Sequence, residues 1–240
     1  MGSTLATDDR RSSPFQVSIA VRGGVDGAAG VGHGAVTWCY GEFVFDFARL
    51  DAAVLLTLRV CIAELRDADD SLAMVACGMV EDLTGFFVAG AGATWVAGLE
   101  GANAGKAELV WSPSEWPLFA KDPDDTAPGR VTRAIWALSG THTIIDGTGK
   151  ELEADAYAAL RRQYENRIVR AIQQMQAGGE LRDAAGNDVW IWLHSADDAD
   201  PELDERSFAA LQVIELARDF DDRFGAGGDR LLARLAAREA

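Results

Sequence analysis

The clearest periodicity in this chain runs from Phe47 to Leu65, where Phe47, Leu50, Val54, Leu58, Cys61 and Leu65 recur at intervals of three and four. That spacing lays one apolar stripe along a helix, and it predicts an amphipathic helix over about 47–67. Asp67, Asp69 and Asp70 then end it in a solvated turn. A second stripe, Tyr157, Leu160, Tyr164, Ile168, Ala171 and Met175, predicts a long helix over about 152–177, with Gly178-Gly179 as its left-handed stop. Val131 to Leu138 reads as helical. Phe208, Leu211, Ile214 or Glu215, Arg218 and Phe224 mark a further helix, and Leu231 to Ala237 a last one after Gly227-Gly228.

Between these lie patterns of period two. Phe15, Val17, Ile19 and Val21 fall on one face of a half-buried strand, followed by a glycine-rich connection over Arg22 to Gly34 and a returning strand over Ala35 to Tyr40. Leu72 to Val80 and Gly85 to Ala89 read as a strand pair joined through Glu81-Asp82-Leu83-Thr84, and Ala107 to Trp111 as a short strand. Val189 to Leu193 (V-W-I-W-L) is apolar at every position, as in a strand buried on both faces. Its Trp190 and Trp192 are expected on opposite faces, one in the core and one free for an interface. Strands and helices mix without a regular β-α-β-α rhythm, which predicts an α+β fold, a mixed or antiparallel sheet packed by several amphipathic helices.

One segment has a more particular spelling, Trp111-Ser112-Pro113-Ser114-Glu115-Trp116. Ser112 fits a helix N-cap, Pro113 the first helical position and Glu115 the third, which together spell a capping box ahead of a helix over 113–119. Beyond it, Lys121 to Gly129 combines two prolines with three aspartates and reads as a loop. Met1 to Pro14 is polar and lacks the apolar stretch of a secretion signal. It is expected to be a disordered lead-in to a single domain over 15–240, with residues 15–40 as a possible added hairpin, and a cytoplasmic location follows.

Charge changes this picture more than composition does. The 240 residues are 48% hydrophobic and 25% charged, ordinary for a globular domain, but 38 acids stand against 22 bases for a net charge of −16. The isoelectric point is near 4.5. An anionic surface repels phosphate backbones, so nucleic acid is a disfavoured partner, and no apolar run reaches the ~20 residues of a membrane span. A basic protein would be attracted instead. Salt adaptation or solubility explains the same acidity. Only Lys106, Lys121 and Lys150 are lysines, so the remaining bases are arginines.

Candidate chemistry is sparse. Cys39, Cys61 and Cys77 are odd in number and have no C-x-x-C spacing, which points to buried thiols and away from disulfide or zinc frameworks. Gly30, Gly32 and Gly34 are spaced G-x-G-x-G with no lysine nearby, unlike either nucleotide-binding glycine loop. His33, His142 and His194 lie outside any H-E-x-x-H pattern, and G-x-S-x-G is absent. His194 closes a strand beside Ser195 and Asp197 and is the best placed of the three for catalysis. Asp198, Asp200, Glu202 and Asp204 alternate like half a calcium loop, but Leu203 and Ala209 occupy the positions that need Gly and Glu. No cofactor and no metal are expected. Trp95, Trp111, Trp116, Trp136, Trp190 and Trp192 serve more readily as core or interface mass than as a ligand-lining box.

Three segments together resemble a family of uncharacterised bacterial proteins catalogued as a domain of unknown function. They are Phe45-Asp46-Phe47-Ala48-Arg49-Leu50 with the strand Ala73 to Val80; Val110-Trp111-Ser112-Pro113-Ser114-Glu115-Trp116; and Val189 to Leu193 followed by acids and Ser207 ahead of a helix ending near Phe224. The resemblance spans about residues 43–225. Residues 15–40 depart from it as an addition, and Ala93-Thr94-Trp95 departs from the family's polar Asn-Thr-Glu. It implies no reaction and no catalytic residues. Small acidic domains of this kind resemble immunity proteins, which occupy a toxin's active site in the cytoplasm.

The expectation is a non-enzymatic acidic binding protein, an immunity-type inhibitor of a basic toxin. Trp95, Trp192, Asp197, Asp198 and Asp200 are the expected partner-binding residues. One alternative is a hydrolase or metal-dependent enzyme using His194 with Asp197 or Asp198. Another is a structural or oligomeric accessory protein.

Overall fold

The computed structural model describes residues 39–40, 43–44, 47–80, 83, 86–99, 106–120, 127–139, 154–183, 185–196 and 200–238. The expected lead-in at 1–14, the strand at 15–21, loop residues 121–126 and the side chains of His33, His142, Trp136, Asp197 and Asp198 lie outside them. Contacts divide the chain into two units, 1–47 and 48–240. In the first, β1 (Cys39–Tyr40) pairs antiparallel with β2 (Phe43–Val44).

Helix α1 (Phe47–Ala68), of which all but the first residue belongs to the second unit, buries Leu50, Val54, Leu58, Cys61 and Leu65 as the period-3.6 stripe requires. An aspartate turn links it to β3 (Leu72–Met79): Asp69 Oδ1 accepts from the Ser71 amide at 2.8 Å and from its hydroxyl at 2.7 Å. β3 returns antiparallel as β4 (Phe86–Gly92), with Gly78 opposite Phe87. A Cβ on Gly78 would fall 1.6 Å from the Phe87 ring, so the ring covers the space that glycine leaves. Short helices α2 (Ala93–Gly98) and α3 (Lys106–Val110) follow.

Here two expectations are corrected. The segment read as a strand at 107–111 is mostly α3, a single turn too short to show its period. The helix expected at 113–119 is one 3-10 turn, Pro113–Glu115, closed by a Glu115 amide to Ser112 carbonyl bond of 2.9 Å, and the Ser112 side chain caps nothing. Pro117 is the physical reason. A proline excludes its predecessor from the helical region, and Trp116 is extended at φ −74°, ψ 149°. The chain therefore leaves as the short edge strand β5 (Leu118–Phe119) on β4.

Helix α4 (Ala127–Ser139) packs against β4 and starts inside the stretch read as a loop. Helix α5 (Ala154–Ala177) ends as expected at Gly179, whose φ of +71° suits glycine. Bonds from the Glu180 amide to the Met175 carbonyl and from the Gly179 amide to the Gln176 carbonyl, both 2.9 Å, make this a Schellman stop.

Strand β6 (Trp190–Ser195) then lies parallel to β3, completing a four-stranded mixed sheet of order β5-β4-β3-β6. Helices α6 (Pro201–Leu211), α7 (Ile214–Asp221) and α8 (Ala226–Ala236) finish the chain. The α+β class is as expected. The region from Phe208 to Phe224, read as one helix, is two, broken at Gln212-Val213.

All of β3 is buried because both sheet faces are covered. Met74, Ala76, Ala89, Ala91, Trp190 and Trp192 meet Val96, Trp111, Trp116, Phe208, Phe220, Leu231 and Leu235 in one core. On the other face Gly90 abuts Leu65 of α1, and Cys77 lies near Cys61 of α1 and Tyr164 of α5. Burial pushes the Cys77 thiol and the Tyr164 phenol far above their ordinary ionisation ranges. Among the described residues, no helix is long and apolar enough to cross a membrane.

Candidate functional site

The end of β6 and the three helices after it hold most of the residues that the sequence singled out. Asp200 caps α6: its Oδ1 accepts from the Leu203 amide at 3.0 Å, and Pro201 follows at the first helical position. Glu202 and Asp204, which the sequence sets in a stretch alternating like half a calcium loop, are therefore in a helix. Asp204 and Ser207 stand on the same face, four and seven residues after the cap, and both turn inward against β6.

Ser207 seals the sheet edge. Its hydroxyl accepts from the Leu193 amide at 2.9 Å, satisfying a backbone donor on the side of β6 that, among the described residues, has no neighbouring strand. Asp204, 5% exposed, lies between His194 and Arg223. His194 Nδ1 is 3.2 Å from each carboxylate oxygen, and an Arg223 nitrogen is 3.9 Å from Oδ2. Arg223 is itself buried, donating to Glu205 and to the Phe220 carbonyl at 3.2 Å while its guanidinium covers the Phe220 ring at 4.6 Å. In the tautomer whose Nδ1–H points at Asp204, a neutral imidazole has its lone pair on Nε2.

A second ionic chain ties α5 to α6. Arg161 bonds Glu165 at 3.2 Å and Asp200 at 3.1 Å, and Arg206 reaches Glu165 at 2.9 Å. Gln176 of α5 donates to the Leu211 carbonyl at 2.8 Å, closing the far end of α6. The helix is thus held at both ends by side chains of α5.

Beneath it, six rings interlock. Phe208 and Phe220 stack at 3.9 Å and 4°, Trp192 meets Trp116 edge-on at 5.1 Å and Phe220 at 5.2 Å, and Trp111 meets Phe220 at 5.7 Å. Trp190 joins through Phe208 at 6.4 Å. This corrects two expectations. Trp190 and Trp192 share one face, since residues two apart in a strand point the same way. Trp192 is 0% exposed, so it cannot anchor a partner.

No family model, curated protein or solved structure matches this chain.

Of the other expected partner-binding residues, Trp95 is half-buried against the aromatic core. Asp200 is spent on the cap and on Arg161, so it is not a free surface anion. Asp197 and Asp198 lie outside the described residues. His194 pairs with Asp204, ten positions on, a partner that the sequence reading missed. Asp200-Pro201 was the available signal, because a helix starting there turns Asp204, Ser207, Phe208 and Leu211 toward β6 together. Among the described residues no group of three or more His, Cys, Asp or Glu could hold a metal ion.

The outer surface of this layer has a different character. Val213 and Ile214, at the start of α7, are 61% and 59% exposed, and Phe224, just past its end, is 61% exposed. Glu215 follows the first pair along the chain, and Asp221 and Asp222 come shortly before the phenylalanine, all exposed, while the Arg223 guanidinium lies over the Phe224 ring at 5.1 Å.

Proposed function

We propose that this protein is a non-enzymatic binding module that engages a basic protein partner through the outer surface of α6–α8, in the manner of an immunity-type inhibitor of a toxin. The observation that carries this reading is the exposure of Val213, Ile214 and Phe224 at the two ends of α7, with exposed acidic residues, Glu215, Asp221 and Asp222, close to them along the chain. Large apolar side chains left in water favour association, and an anionic rim selects a partner with cationic surroundings. The net charge of −16 adds long-range attraction to any such partner. The rigid layer of rings and ion pairs beneath lets the face bind with little reorganisation. In this reading the protein works in the cytoplasm, where a toxin must be neutralised.

The test is calorimetry and growth rescue with basic toxin domains encoded beside its gene. A 1:1 complex is expected, with an association rate that falls as salt rises. Ile214→Asp and Phe224→Asp each weaken it by about tenfold or more while leaving the melting temperature unchanged. Failure to bind or rescue, or tight binding by both variants, removes the proposal.

The His194–Asp204 pair favours a second reading, a hydrolase in which Asp204 orients His194 as a general base. A hydrolytic activity that survives His194→Ala unchanged eliminates this use of the site.

A further inference from the structure

Helix α1 buries one stripe and leaves another in water. Leu56 and Val60 are 46% and 39% exposed, and Ala52 and Ala63 beside them are exposed as well. Arg49 and Asp67 close this stripe at its two ends, about five helical turns apart and so on the same side of the helix. Leu56 and Val60 fall within about 20° of the line that joins them. Arg49 and Asp67 are both exposed, and neither has an ion pair or side-chain hydrogen bond among the described residues. We propose that this stripe pairs with the same stripe of a second copy, forming an antiparallel two-fold dimer through α1.

The stripe is complementary to itself. Its two charges and its two large apolar residues are each centred on the level of Leu58. A two-fold axis at that level sets Arg49 of each copy against Asp67 of the other, and Leu56 against Val60. Ala52 and Ala63 carry small side chains, so the two helices can approach to about 8 Å. The charges also stand against their own helix dipole, with the arginine in the first turn and the aspartate in the last. That placement slightly weakens an isolated α1 and is offset where each charge meets the opposite sign. Arg59, next to the stripe, bonds Glu180 at 2.7 and 2.6 Å, so its charge is compensated within one copy. The net charge of −16 repels a second copy at long range, but salt at about 0.15 M confines that repulsion to ~8 Å, and the stripe acts at contact. One helix pair is smaller than the ~1,200–2,000 Å² of a standard interface, so the dimer forms at about tens of micromolar. The stripe shares no residue with the α6–α8 face, and the pairing stands whether or not that face engages a toxin.

Sedimentation equilibrium of the full chain alone, at about 5–500 μM protein in about 0.15 M salt, is the test. A monomer–dimer equilibrium is expected. Leu56→Glu abolishes it. Arg49→Asp or Asp67→Arg sets like charges opposite one another at both ends and weakens it about tenfold. Mixing these two charge variants restores the wild-type association, because each then meets its opposite in the other, and the recovery shows that both are folded. Ile214→Asp, on the α6–α8 face, leaves dimerisation unchanged. A chain that stays monomeric to about 500 μM, a dimer that survives Leu56→Glu, a dimer that Ile214→Asp dissolves, or a mixture no tighter than the single variants overturns the proposal.

Discussion

Replacing Ser207 with alanine probes the sealed edge of β6 with one missing oxygen. The hydroxyl is buried, accepts from the Leu193 amide at 2.9 Å and has a carbonyl acceptor, that of Asp204, at 3.1 Å. Alanine leaves the Leu193 N–H facing a methyl group on an edge that α6 covers, and a buried donor without a partner costs about 1–3 kcal/mol. The space vacated by one oxygen is too small for a water to replace the bond. Alanine's better helix propensity returns about 0.5 kcal/mol, so the net loss is about 0.5–2.5 kcal/mol. For a unit of this size each kcal/mol moves the melting temperature by about 2–4 °C, giving a fall of about 1–10 °C. Urea denaturation measures the loss, and amide exchange at Leu193 locates it. Exchange at Leu193 should accelerate more than at Trp192, whose neighbour is β3. A stability change under about 0.3 kcal/mol with unaltered Leu193 exchange would refute the claim that this hydroxyl closes the sheet.

Other outcomes follow from the same geometry. Phe208→Ala removes the centre of the ring cluster and should cost about 3–5 kcal/mol in urea denaturation, with loss of the near-ultraviolet aromatic signal. Gly228→Ala should cost about 2–3 kcal/mol by thermal unfolding, because a Cβ there would lie 2.0 Å from the Arg223 carbonyl oxygen and drive α8 off α7. The Arg59 side chain holds the Glu180 carboxyl below its ordinary value of 4.5. The pair therefore stabilises fully above that value and stops doing so as pH falls through the lowered one; Glu180→Gln should reduce the urea midpoint at about pH 7 and leave it unchanged at about pH 2. In a Cys39→Ser background, Ellman's reagent should find no reactive thiol in the native protein and two after denaturation, since Cys61 and Cys77 are buried and burial raises the Cys77 thiol.

The long elements were legible because their periods repeat often enough to fix a face. Helix α1 was expected over 47–67 and found over Phe47–Ala68, and Gly179 stops α5 where expected. β3 and β6 also lie close to where they were expected, while β4, expected over Gly85 to Ala89, runs on to Gly92. Short elements failed for the opposite reason. α3 has a single turn, and the spelling Ser-x-x-Glu at 112–115 promised a cap that Pro117 cut short. The site was half legible: His194 stood out by type, while neighbours in sequence, Asp197 and Asp198, drew attention from Asp204, which reaches it through the first turn of α6.

The sequence by itself determined the α+β class, the two long helices, the buried strands and the anionic balance, since each rests on local periodicity or on simple counting. Tertiary structure decided that β6 runs parallel beside β3, that Trp190 and Trp192 point into one cluster, and that Val213, Ile214 and Phe224 remain in water. Those outcomes depend on which surfaces meet, and an apolar residue is the same letter whether another helix covers it or not. Burial is a property of pairs of segments distant along the chain, so it is settled only when the chain closes on itself.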